Sequence, residues 1–273
     1  MALKGKVATA LLSDAGRVRG NNEDAVAEDA EIGLLVLADG MGGYNAGEIA
    51  SGIATTTVLD VCARGWPGLQ RGEVDAQSGY SVESMLLKTA IETAHATIHQ
   101  VSQTQPQCAG MGTTIVVALL HDDRLSIAYV GDSRLYRLRA GVLEALTRDH
   151  SLLEELIARG HYSREDAVKL VRKNIVTRAL GVEETVQVDL IEDTVEVGDL
   201  ILLCSDGLTD MLDDDTIRMT LERYTANLET AARRLVELAN DAGGKDNVSV
   251  VLARADASFA RGRRWYERLM EWF

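Results

Sequence analysis

Four aspartates stand where apolar runs stop or start. Asp39 follows Leu34-Leu-Val-Leu-Ala38, Asp132 follows the run ending Tyr129-Val-Gly131, Asp206 follows Leu200-Ile-Leu-Leu-Cys-Ser205, and Asp246 precedes Asn247-Val-Ser-Val-Val251. Glu23 and Asp24 close a polar loop just upstream. Apolar runs of this length read as strands buried on both faces. In a largely antiparallel sheet the end of one strand lies beside the start of another, so all these acids can share one rim. Carboxylates crowded in that way either rise in pKa or recruit a cation. With oxygen ligands only, the fitting ion is Mg2+ or Mn2+ rather than Zn2+. Two such ions, about 3.5–4 Å apart and bridged by one carboxylate, would activate a water. Asp39 is the candidate bridge, and Gly40 could turn a carbonyl to a metal. Spacing alone leaves a second reading open, in which these are independent turns; Asp-Gly is an ordinary turn signal.

The elements that must carry these acids follow from periodicity. Strands are expected over 6–13, 25–30, 32–38, 112–120, 125–130, 135–139, 142–146, 186–192, 199–204 and 248–253. Helices are expected over 45–62, from a cap at Ser81 through Gln103, over 152–158, and at about 208–212, 214–223 and 229–241. Ile49, Ile53 and Val58, with small alanines between, form the face expected to pack on a sheet. The stretch 64–80 reads as loop, and a capping box at Ser163–Asp166 starts a further helix. His95 and His99 lie four apart, a spacing that could bind metal. No carboxylate motif accompanies them, so they read as a partly exposed helix face.

Composition narrows the classes. The 273 residues are 46% hydrophobic and 26% charged, which is globular and rules out a disordered chain. A net charge of −14 should repel nucleic acid and anionic membrane, and suits a site that binds cations. The three cysteines, Cys62, Cys108 and Cys204, are far apart and include no Cys-x-x-Cys pair. An unpaired count of this kind suits a reducing compartment, and a cytoplasmic protein is expected. The N-terminal apolar run is short and broken by Asp14, unlike a signal peptide, and no segment approaches the length of a membrane span.

The segments SDAGRVRGNNED (13–24), LADGMGG (37–43), GMGTTIVV (110–117), YVGDSRLYRL (129–138), LTRDHSLL (146–153), NIVTRALG (174–181), GDLILLCSDGLTD (198–210) and GGKDNVSVV (243–251) run nearly the whole length. In this order the chain resembles the PPM (PP2C-like) family of metal-dependent serine/threonine protein phosphatases, in its bacterial form. The resemblance implies an α+β fold, two packed antiparallel sheets flanked by helices on both faces, a four-layer αββα sandwich. It implies one phosphatase domain over 1–256 with a flap at about 147–182, followed by a tail at 257–273. It also implies roles. Asp39 would bridge two Mn2+ or Mg2+ ions, with Gly40 giving its carbonyl. Asp206 and Asp246 would complete the shell of the first metal, and Asp24, beside Glu23, would hold metal or its waters. Asp132 would join Asp206 at a third, weaker ion. Arg19 would hold the substrate phosphate, a task suited to a guanidinium. A metal-bridging hydroxide would then attack phosphoserine or phosphothreonine in line, reversing a bacterial Ser/Thr kinase.

One residue departs from the family pattern. Many relatives carry His just past the glycines, a proposed acid for the leaving alkoxide, whereas this chain has Tyr44. Tyrosine can donate a proton but does not titrate near neutrality. The expected substitute is metal-bound water or Tyr44 itself. The missing His keeps open a low-turnover phosphoprotein-binding regulator, and the same centre could serve another phosphoester. Beyond the core, Trp265, Leu269 and Trp272 align at helical spacing with arginines opposite. They read as a helix laid on the protein's own surface, in preference to one docking on a kinase, scaffold or membrane.

Overall fold

β3 (Leu34–Met41) shows why the strands are apolar on both sides. Leu34, Val36 and Ala38 enter one core with the helices, while Leu35 and Leu37 enter another with the opposite sheet. A strand between two cores has no solvent face, so its sequence cannot alternate. The computed structural model describes residues 3–43, 46–158, 160, 162, 166 and 175–260.

In chain order β1 (Val7–Asp14), β2 (Asp24–Asp29) and β3 lead into α1 (Ala46–Gly65) and α2 (Val82–Thr104). β4 (Gly112–Thr113), β5 (Ile115–His121), β6 (Arg124–Val130), β7 (Arg134–Arg139) and β8 (Val142–Ala145) follow, then α3 (Leu152–Ala158). β9 (Asp189–Thr194), β10 (Leu200–Cys204), α4 (Asp206–Thr209), α5 (Asp214–Tyr224), α6 (Leu228–Asp241) and β11 (Val248–Ala255) follow among the described residues.

The strands form two sheets, one ordered β1-β11-β10-β7-β8 and the other β2-β3-β5-β6-β9, with β4 beside β3. The pairings are antiparallel. Three cores separate four layers. α1 and α2 cover the β3 sheet through Ala50, Ala54, Val58, Leu87, Ile91 and Ile98. The sheets meet through Leu37, Val116, Ile127, Leu135, Leu203 and Val251. α5 and α6 cover the second sheet through Ile217, Leu221, Ala231 and Leu235 against Leu202 and Val250. This is the αββα sandwich that the resemblance implied. No helix among the described residues is long and apolar enough to cross a membrane.

Several local expectations are corrected. Asp39-Gly40 is no turn: β3 continues through it, with Gly40 paired to Thr113 and Met41 to Gly112. Gly40 is required by close approach, because a Cβ there would meet the Gly47 carbonyl oxygen at 2.1 Å and the Glu23 carbonyl oxygen at 2.6 Å. Ile49 is exposed, and α1 packs through its alanines, which let helix and sheet come close. Residues 64–80 are not plain loop: α1 reaches Gly65, a 3-10 turn spans Trp66–Gly68, and Val74 bridges Ser81. The expected strand over 112–120 is broken at Thr114. The expected strand over 186–192 lies at 189–194, and the helix expected at 208–212 begins at Asp206. His95 is buried, not surface: its Nδ1 accepts from Gly181 N–H at 3.1 Å while its ring stacks on His99. Tyr44, most of the Ser163–Asp166 capping box and the segment of the tail expected to be helical lie outside the described residues.

Candidate active site

Both sheets bring acids to one end of the sandwich. On β2 and β3, Asp24 and Asp39 are direct cross-strand partners, so their carboxyls stand side by side on one face. Like charges placed that way repel, and the pairing is held by what surrounds it. The Asp39 carbonyl accepts from Thr114 N–H at 2.9 Å and from the Thr113 hydroxyl at 2.8 Å. Gly40 N–H donates to the Glu23 carbonyl at 3.1 Å. Asp132 lies in the crossover from β6 to β7, where the chain changes sheet. From the second sheet come Asp206, which opens α4 straight after β10, and Asp246, two residues before β11.

Electrostatics shows that the acids share one field. Burial raises Asp39 well above the carboxylate range, and Asp24, Asp206, Asp132 and Asp246 each push it further. Burial, then Asp132, Asp246, Asp210 and Asp24, bring Asp206 to about 8. Asp132 is raised to about 6 by burial and then Asp149. Asp24 is raised to about 6 by burial, against the hydroxyls of Ser249 and Ser205 that stabilise its charge. Proximity to Asp246, Glu23 and Asp39 places Arg19 at the same rim, its Nη2 donating to Asp246 Oδ2 at 2.7 Å. Glu23 has a different partner from its neighbour. Burial raises its carboxyl overall, against Arg19 and the Gly47 N–H that it takes in the first turn of α1.

The donor set fits hard divalent cations. It is all oxygen, its charges repel, and Asp24 Oδ1 is buried with no hydrogen-bond partner. Asp24, Asp39, Asp132, Asp206 and Asp246 are the residues that could hold such ions.

Supporting residues passed over in the sequence hold this rim together. Ser205 Oγ donates to Asp24 Oδ2 at 2.8 Å and accepts from Ser249 N–H at 3.0 Å, tying the sheets to each other. Asn247 receives Glu23 N–H on its Oδ1 at 2.8 Å and donates its amide to the Ala15 and Asn21 carbonyls at 3.0 and 2.8 Å. Asp210 adds charge beside Asp206 and Asp132. Their signal was adjacency: Ser205 and Asn247 each flank a singled-out aspartate. The Asp132 segment has its own brace. His150 accepts from Gly131 N–H at 3.1 Å through Nδ1 and donates its backbone N–H to the Gly131 carbonyl at 2.9 Å. Arg134 makes a two-pronged pair with Asp149 at 2.8 and 2.7 Å. These contacts give the Arg148-Asp-His150 motif a structural task.

The Protein phosphatase 2C family model matches residues 17–240, a span that contains Arg19, Asp24, Asp39, Asp132 and Asp206. The chain belongs to the protein phosphatase 2C family. Among relatives in this family it is 39% identical to the serine/threonine phosphatase stp of Listeria monocytogenes serotype 4b (strain F2365) over 247 residues, 89% of this chain and 94% of that protein. A crystal structure of the Mycobacterium tuberculosis serine/threonine phosphatase PstP/Ppp matches with a TM-score of 0.80 and 35% identity, over 92% of this chain and 99% of that one. A structure of the catalytic domain of PstP in complex with 2 manganese ions matches with a TM-score of 0.76 and 35% identity, over 91% and 97% of the respective chains.

Proposed function

We propose that this chain removes phosphate from phosphoserine and phosphothreonine in proteins, in a metal-dependent hydrolysis centred on Asp39. It is a protein phosphatase by family, and its named relatives are serine/threonine phosphatases. The observation that carries the site is the convergence of five aspartates from both sheets around Asp39, which all four others push upward. In this reading Asp39, Asp206, Asp246 and Asp24 hold two Mn2+ or Mg2+ ions, with the Gly40 carbonyl as a further ligand. Asp132, with Asp206 and Asp210 near it, holds a third and weaker one. When bound, the ions supply an activated water and neutralise charge on the phosphoryl group.

The chain's own groups do the rest. Ser205 orients Asp24 through its hydroxyl, and Ser249 and Ser205 partly offset the rise that burial gives its carboxyl. Arg19 sits half-exposed at the rim, and a substrate phosphate competes with Asp246 for its guanidinium. Metal-bound water or Tyr44 is proposed to protonate the leaving alkoxide. The physiological substrates are phosphoproteins made by a bacterial Ser/Thr kinase. The test is Mn2+-dependent phosphate release from a phosphothreonine peptide, with Asp206→Asn as control. Turnover in the wild type that is lost in the variant is expected. Equal turnover in both would overturn the assignment of the centre.

A further inference from the structure

At the opposite end of β5 from the acid rim, a second group of ligand-type side chains converges. Thr114, bonded to Asp39, and His121 at the strand's far end are separated by roughly 23 Å at 3.3 Å per residue. Glu83 comes from the first turn of α2, His121 ends β5, and Asp122 sits in the two-residue turn to β6. Asp122 and Asp123 both have positive φ (48° and 55°), which acids tolerate and which fixes the turn. One donor atom from each of Glu83, His121 and Asp122 lies within 4.8 Å of the other two. Asp123 is used elsewhere, accepting from Ser258 Oγ and Phe259 N–H.

The hydrogen bonds leave this group incomplete. Glu83 is 0% exposed; its Oε1 accepts from Gly72 N–H at 2.9 Å, and its Oε2 has no partner. His121 is 5% exposed; its Nε2 is 2.9 Å from Ser126 Oγ, and its Nδ1 has no partner. Ser84 Oγ donates to Ser126 Oγ at 2.8 Å, and Ser126 Oγ lies against His121 Nε2. His121 Nδ1 stands 3.7 Å from Glu83 Oε1, beyond hydrogen-bond distance. A buried imidazole nitrogen and a buried carboxylate oxygen, Glu83 Oε2, thus both lack a partner, an arrangement that a cation resolves. Glu83, with Asp122 and Arg71 facing it, is raised mainly by burial.

We propose that Glu83, His121 and Asp122 form a metal site of the Zn2+ class, separate from the phosphatase centre. Imidazole and carboxylate are both zinc ligands, and a borderline-soft ion prefers the nitrogen that the acid rim lacks. A ligating histidine whose other nitrogen is hydrogen-bonded to a fixed partner is the usual arrangement, and Ser126 Oγ stands 2.9 Å from Nε2. A small cavity lined by Trp66, Arg71 and Leu120 lies against His121 and Asp122. The ion ties the start of α2 to the β5–β6 turn.

The test uses the full-length chain in excess Mn2+, exposed to Zn2+, desalted and analysed for both metals. The wild type is expected to retain about one more zinc per chain than His121→Asn or Asp122→Asn, with equal Mn2+-dependent turnover in all three. Zinc should also raise the melting temperature of the wild type and not that of either variant. Asp122→Asn keeps a side chain that tolerates positive φ, so it guards against a misfolded His121 variant. Equal zinc content in wild type and Asp122→Asn would overturn the proposal.

Discussion

At the scale of single residues, the acids of the centre disfavour the metal-free fold. Asp206 is held with its charge among four other carboxylates and ionises only at about pH 8. Asp206→Asn removes one repelling charge, so the EDTA-treated variant should melt a few degrees higher than the EDTA-treated wild type at pH 8, by calorimetry. A gain of about 1 kcal/mol corresponds to roughly 2–4 °C in a chain of this size. The same variant should lose Mn2+-dependent turnover. Arg19 has a different signature. Its pair with Asp246 is half in solvent and contributes little to folding. Arg19→Ala should leave the melting temperature nearly unchanged and lower kcat/KM for a phosphopeptide by about 10–100-fold, the value of a lost charge-assisted hydrogen bond. Steady-state kinetics beside a melt separates these outcomes, and a large fall in stability with normal kinetics would contradict the assignment.

At the scale of elements, the centre depends on how closely α1 approaches β3. Gly40 and Gly47 face each other, and Glu23 sits between strand and helix with its carboxylate on Gly47 N–H. A methyl group at Gly40 meets backbone, which cannot rotate away as a side chain can. Gly40→Ala should cost at least about 1–3 kcal/mol in urea unfolding, the range for overpacking, and should displace Asp39 enough to weaken Mn2+ binding. The contact between the sheets is also an element-scale property. Leu203 is fully buried between them, one residue from Cys204 and three from Asp206. Leu203→Ala should cost about 2–5 kcal/mol by leaving a cavity there.

At the scale of the molecule, pH and metal act on one balance. Asp24, Asp132 and Asp206 have folded values of about 6, 6 and 8, above their unfolded value near 3.9. A raised group contributes stability that is complete below the unfolded value and is lost as pH rises through the folded one. The metal-free protein therefore loses this contribution between about pH 4 and 8. His95, His121 and His150 are lowered by burial and act oppositely, gaining stability as pH rises from their lowered folded values to about 6.5. Their share is common to the metal-free and Mn2+-loaded protein and cancels in the difference. Protons compete with metal for the acids, so the rise in melting temperature caused by Mn2+ should be larger at pH 8 than at pH 6. Melts at both values, with EDTA and with Mn2+, check this.

The order of strands and helices was legible because most elements carry an internal signal: apolar runs for β3, β10 and β11, the Ser81 cap for α2, helical spacing for α6. Asp39, Asp132, Asp206 and Asp246 were legible for the same reason, as polar interruptions at the edges of those runs. Three things depended on contacts between distant segments. One is the task of Gly40, which reads as a turn residue but serves the approach of α1, a neighbour only in space. Another is the linkage of Asp24 to Ser205, 181 positions away, which no local pattern encodes. The third is the meeting of Glu83 with His121 and Asp122. Composition and periodicity determined which segments are strands, which are helices and where charge interrupts them, because those properties are local. Tertiary packing decided which strand ends share a rim, because sheet order and the stacking of two sheets arise from long-range pairing alone.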